Sequence, residues 1–216
     1  MLLALVDEGA VTLREGVASL PTQRNEIVSV TTLLDGWSKV IRVVFRQRNR
    51  DGSSHLHDRD LLDRGDGITV LLYNLSRRTV LLLRQPRIVA TMTGNAVGET
   101  VEACNGMVGQ EDPETAALRE VEEETGHRLH NLQPIGKVYA SPGGSLELIH
   151  LFLGEYDETT EVSKGGGLCD EGEDIFPFEV GLDQAMNWIE EKLIMDARTI
   201  LAIQHLYIHE TRQKLV

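Results

Sequence analysis

The sequence predicts an α/β sandwich built on a mixed sheet, and three observations carry that reading. The first hundred residues hold short runs rich in Val, Leu, Ile and Thr, separated by turn residues. A capped, amphipathic stretch follows at residues 112–127, and two further strand-like runs come after it. Two amphipathic segments, around 182–191 and 197–210, complete the order β-rich, helix, β-rich, helix.

Each element has a local reason. "AVTLREG", "IVSVTTLL", "KVIRVVFRQ", "GITVLLYN" and "TVLLLRQ" read as strands. They are punctuated by "DG" at 35–36, "DGSS" at 51–54, "RGDG" at 64–67 and "NLSRR" at 74–78. The last two strands, across a short polar turn, predict a hairpin. In "DPETAALREVEEETGH", Asp112 suits the N-cap, Pro113 the first helical position and Glu114 the positive end of the dipole. Ala116, Ala117, Leu118 and Val121 supply the apolar side, and Gly126 suits the end. Strands return in "QPIGKVYA" and "LELIHLFLGEY" around the turn "SPGGS". "SKGGGLCDEGED" has no periodicity and reads as a mobile surface loop.

Bulk composition narrows the function. At 216 residues, 41% hydrophobic and 25% charged, the chain can bury a sizeable core. Its 21 basic and 34 acidic residues leave a net charge of −13. That balance argues against nucleic-acid binding, which needs clustered positive charge, and fits a soluble enzyme that recruits divalent cations. Cys104 and Cys169 lack metal or redox spacing and read as reduced thiols. "MLLALVDE" is too short and lacks the basic flank of a signal peptide, and no run approaches a membrane span, so a cytoplasmic location is expected.

The stretch "REVEEETGH" is electrostatically odd. Glu120, Glu122, Glu123 and Glu124 crowd the C-terminal end of the predicted helix, where the macrodipole disfavours carboxylates. Glu120 also repels Glu123 and Glu124 at i,i+3 and i,i+4, by roughly 0.2–0.5 kcal/mol per pair. At 100° per residue, Glu120, Glu123 and Glu124 share one face within roughly 100°, while Glu122 points away. Three such carboxylates form a hard oxygen site for Mg²⁺ or Mn²⁺, and a dication removes both penalties. Arg119 stands at i,i+4 from Glu123 and is placed to orient it. A solvated acidic face is the bland reading of the same run.

"NGMVGQEDPETAALREVEEETGH" resembles the Nudix box, with Glu111, Arg119, Glu120, Val121, Glu123, Glu124 and Gly126 in register. It departs from the box in a loop one residue short, which places Asn105 at the strict glycine position, and in His127 at the final aliphatic position. "LLLRQPR", "VEACNG", "YASPGGSLELIHLFLGEY" and "GGGLCDEGED" extend the resemblance to the branch of ADP-ribose and nucleotide-sugar pyrophosphatases, most of all to those acting on GDP-mannose.

The resemblance implies a Nudix-type α/β/α sandwich over 63–216, with residues 1–62 as an N-terminal β extension used in strand-exchanged homodimerisation. It implies Mg²⁺-dependent hydrolysis of a nucleoside diphosphate sugar to a nucleoside monophosphate and a sugar 1-phosphate. GDP-mannose is favoured, ADP-ribose is second, and a non-catalytic binding module is a weaker third reading. Glu120, Glu123, Glu124 and the main-chain carbonyl of Asn105 would hold the metal, with Arg119 supporting them. Glu171, then Glu173, would serve as general base. Arg87 would contact substrate phosphates, and Arg84 and Arg64 are weaker substrate-binding candidates. Neither a membrane nor a nucleic acid is an expected partner.

Overall fold

Two neighbouring strands, β4 (Gly67–Asn74) and β5 (Thr79–Pro86), organise the molecule, which was studied as a computed structural model. The structure describes residues 24–168 and 172–213. The expected strand "AVTLREG", Cys169 and Glu171 lie outside these residues. Strands covered on both faces read as continuous apolar runs, and "ITVLL" and "VLLL" do so. Ile68, Val70 and Leu72 of β4, with Leu81 and Leu83 of β5, pack into one core. Leu71, Val80 and Leu82 point the other way into a second.

The seven-stranded sheet runs β10-β5-β4-β9-β8, where β8 is Gln133–Tyr139, β9 Leu148–Glu155 and β10 Phe176–Gly181. Two short strands, β6 (Glu99–Glu102) and β7 (Cys104–Met107), pair with β5 and β4. β4 and β9 are parallel and the other pairs antiparallel, so the sheet is mixed as expected. Helix α2 (Pro113–Thr125) covers the first core through Ala117 and Val121. Helices α3 (Leu182–Glu190) and α4 (Ala197–Gln213) cover the second through Leu182, Ala185, Ile203 and Leu206. A one-turn helix, α1 (Ile88–Met92), follows β5.

A separate antiparallel sheet comprises β1 (Asn25–Asp35), β2 (Lys39–Arg48) and β3 (Ser54–Asp63). It leaves Ile27, Val30, Leu34 and Leu56 exposed. Its last strand is stitched to the 141–146 loop, where Leu62 N–H donates to Gly144 O at 2.8 Å and Leu146 N–H to Leu62 O at 2.9 Å.

Helix α2 begins and ends where its local chemistry directs. The Asp112 side chain accepts from the N–H groups of Glu114 and Thr115, and Gly126 closes the helix at φ 77°. The segment following Glu161, read from sequence as a mobile loop, is instead docked on that helix end. Val162 and Ser163 donate to Gly126 O, Gly166 to Glu124 O at 2.9 Å and Gly167 to Glu123 O at 3.1 Å. The final carbonyls of a helix need outside donors, and this segment supplies them. Glycine permits the approach: a Cβ on Gly165 would lie 2.4 Å from Glu124 O.

Candidate active site

The docked segment, β7 and the end of α2 meet around the predicted glutamates. Glu124 is 2% exposed, and its Oε2 accepts the Asn105 N–H at 3.1 Å. Burial pushes its carboxyl up to about 8, against the pull of hydrogen bonds from the Cys104 thiol and the Asn105 N–H. Burial likewise pushes Glu120 up to about 7, opposed by Arg119 and reinforced by Glu123 and Glu173. Glu120 lies directly over Gly106, where a Cβ would meet its Cδ at 2.2 Å. A glycine is required there for the carboxylate to reach its place.

Arg119 gathers three carboxylates. Its Nη1 reaches Glu123 at 2.8 Å, its Nη2 reaches Glu120 at 3.1 Å and its Nε reaches Glu111 at 3.1 Å. The i,i+4 contact expected with Glu123 is therefore present. Glu122 turns outward to Arg128, with bonds of 2.6 and 2.8 Å, in keeping with its expected separation from the other three.

The oxygen-rich set fits a hard dication. Glu124, buried, and Glu120, half-buried, both have a raised proton affinity and so are carboxylates short of positive charge, which magnesium or manganese would supply with the preferred ligand type. Among the described residues, no three acidic, His or Cys side chains already stand at common metal-binding distance. Two of the three glutamates are held by Arg119 instead.

The remaining candidates separate. Arg87 lies beside the carboxylates: Glu124 acts on its charge, and its Nε and Nη2 donate to Glu102 at 3.0 and 2.9 Å. Glu173 is close enough to raise the proton affinity of both Glu120 and Glu124, and its Oε2 accepts Leu168 N–H at 2.9 Å. Arg84 pairs with Glu99 at 3.2 Å and stacks over Phe176. Arg64 stacks on Trp37, 4.5 Å from the ring centroid. His127, at the aliphatic position of the box, is buried edge-on against Tyr156 and bonds Thr160 at 2.9 Å, so it fills a core position.

Sequence reasoning missed Glu102. Its signal was one carboxylate inside the apolar run "TVEAC", which calls for a buried, partnered charge.

Comparison with known proteins follows the same geometry. The NUDIX domain family matches residues 63–197, more than half of the chain. A GDP-mannose pyrophosphatase of Cronobacter sakazakii (strain ATCC BAA-894) is 36% identical over 183 residues, covering 85% of this chain and 95% of that protein. A GDP-mannose pyrophosphatase of Escherichia coli O1:K1 / APEC is 35% identical over 185 residues, covering 86% and 96%. A solved ADP compounds hydrolase superposes with TM-score 0.67 at 18% identity, covering 90% of this chain and 98% of that one, a likeness of fold. No helix among the described residues is long and apolar enough to cross a membrane.

Proposed function

The chain belongs to the NUDIX family, and from that premise we propose that it hydrolyses the diphosphate linkage of a nucleoside diphosphate sugar in a Mg²⁺-dependent reaction. GDP-mannose is the favoured substrate, because relatives at 35–36% identity and near-full coverage carry that activity in their names. ADP-ribose is second. The observation that carries the reading is the pair of desolvated carboxyls, Glu124 buried and Glu120 half-buried, with the guanidinium of Arg87 close enough to Glu124 to feel its charge. A non-catalytic binding module does not need all three box glutamates, and this chain keeps Glu120, Glu123 and Glu124.

Glu120, Glu123, Glu124 and the main-chain carbonyl of Asn105 would hold Mg²⁺, with Mn²⁺ as the alternative. When bound, the ion supplies positive charge that neutralises phosphate oxygens and stabilises the charge developing on them. The chain's own residues do the rest. Arg87 binds a phosphate through Nη1, the guanidinium nitrogen not used by Glu102. Arg119 holds Glu120 and Glu123 in place. Glu173, or Glu171 beside it in sequence, takes the proton of the attacking water. The new P–O bond forms as the bridging P–O bond breaks, which releases a nucleoside monophosphate and a sugar 1-phosphate.

Residues 63–216 form the hydrolase domain and residues 1–62 the dimerisation region of a cytoplasmic homodimer. The apolar side chains left exposed on β1–β3 support this assignment. Phosphorus NMR of the products tests the chemistry. GMP and mannose 1-phosphate from GDP-mannose are expected, whereas binding without products would make the protein a sensor.

A further inference from the structure

Glu102 is 3% exposed and surrounded by donors. Arg87 grips it through two bonds of 3.0 and 2.9 Å, and Thr100 Oγ1 donates at 2.6 Å. Asn105 Nδ2 donates at 3.1 Å, and Arg198 Nη2 stands at 3.7 Å. A carboxylate this deep is tolerated only when it is paired and hydrogen-bonded, so each donor is held firmly in return.

Two of these donors belong to opposite arms of the site. Arg87 is the phosphate-binding arm of the proposed function. Asn105 belongs to the metal arm, since its N–H holds Glu124. The Asn105 side chain is clamped at both ends: Nδ2 also donates to Ala103 O at 2.8 Å, and Oδ1 accepts Thr69 Oγ1 at 2.5 Å. With the side chain fixed, the Asn105 backbone loses the freedom to turn away from α2.

We propose that Glu102 is a positioning residue that couples the two arms, orienting Arg87 toward phosphate and Asn105 toward the metal carboxylates at once. A charge partner for Arg87 alone would need no bond to the Asn105 amide. The coupling rests on the reading of Arg87 as a phosphate ligand, and its test separates the two.

The test is a double-mutant cycle of Glu102→Gln and Arg87→Ala on the full chain. It is read by kcat and KM, and by Mn²⁺ titration in electron paramagnetic resonance without substrate. Each single variant is expected to lose about 10–100-fold in kcat/KM, chiefly through KM, with the double variant no worse than the poorer single one. Glu102→Gln is expected to weaken Mn²⁺ about 10-fold, while Arg87→Ala, which removes a positive charge that acts on Glu124, should not weaken it. Thr100→Val, which removes one bond to Glu102 without touching its charge, should show a milder form of the same pattern if Glu102→Gln folds poorly. Additive losses, or an Mn²⁺ affinity that neither Glu102→Gln nor Thr100→Val moves, would overturn the coupling. A normal kcat/KM for Arg87→Ala would instead remove the phosphate role of Arg87, and the coupling with it.

Discussion

The Asn105 N–H donates to Oε2 of Glu124 across 3.1 Å, joining strand β7 to the last turn of helix α2. Glu124 is thereby held as a buried acceptor at the point where the helix most disfavours negative charge. The structure resolves this conflict locally with hydrogen bonds and a raised proton affinity. The proposed metal would resolve it fully.

Glu124→Gln keeps the shape and the acceptor for Asn105 but removes the charge. Turnover should fall by about 10³-fold or more, because electrostatic stabilisation of phosphate charge is the dominant catalytic contribution expected here. The thermal midpoint should hold or rise. Steady-state kinetics and circular dichroism check both, and unchanged turnover would remove Glu124 from the metal set.

Arg119→Ala frees three carboxylates at once. The side chain is 39% exposed, so its ion pairs are worth at most about 1 kcal/mol of stability. Its role in orienting Glu120 and Glu123 should weigh more, at about 10–100-fold in activity or Mg²⁺ requirement. Unfolding curves beside Mg²⁺ titrations separate the two effects. A variant destabilised by several kcal/mol but fully active would reverse their order.

These residues also show how far the sequence carries. The limits of α2 were readable because Asp112, Pro113 and Gly126 act within one turn. β4 and β5 were readable because both of their faces are apolar. β3 was missed: "SHLHDRDLLD" carries charges along an exposed strand, and its pairing with β2 comes from the neighbouring strand. β6, β7 and β10 are too short or too exposed to show a period of their own. The Glu102 cluster draws on Arg87, Thr100, Asn105 and Arg198, and only the fold brings these together. The docking of Gly165–Gly167 on α2 was hidden for the same reason, since glycine reports freedom and not the partner it will meet.

Proton affinity at the site predicts a pH signature. Burial raises Glu120 and Glu124 to about 7 and about 8 from an ordinary carboxylate value of 4.5. Their contribution to stability is therefore fully present below that ordinary value. It is lost as pH climbs through about 7 to 8. Mg²⁺ competes with those protons, so the rise in Tm on adding Mg²⁺ should be larger at pH 8.5 than at pH 5.5. Equal shifts at the two pH values, measured by scanning fluorimetry, would contradict the metal assignment.

The general base is decided by paired variants. Glu173 acts on both Glu120 and Glu124 and is braced by Leu168 N–H. Glu173→Gln should lower kcat by about 10²–10⁴-fold. Glu171→Gln should cost less. The reverse order would transfer the role to Glu171.

Metal-dependent hydrolysis of a nucleotide sugar is the chemistry the site is proposed to perform. The most direct measurement is phosphate release, coupled to alkaline phosphatase, from GDP-mannose, GDP-glucose, ADP-ribose, ADP-glucose, UDP-glucose and diadenosine polyphosphates, each with and without Mg²⁺. Turnover confined to one or two members, GDP-mannose first, and lost on removal of Mg²⁺ is the predicted result. Silence across the panel while a nucleotide sugar still binds would contradict the enzymatic account and leave a binding protein built on the same fold.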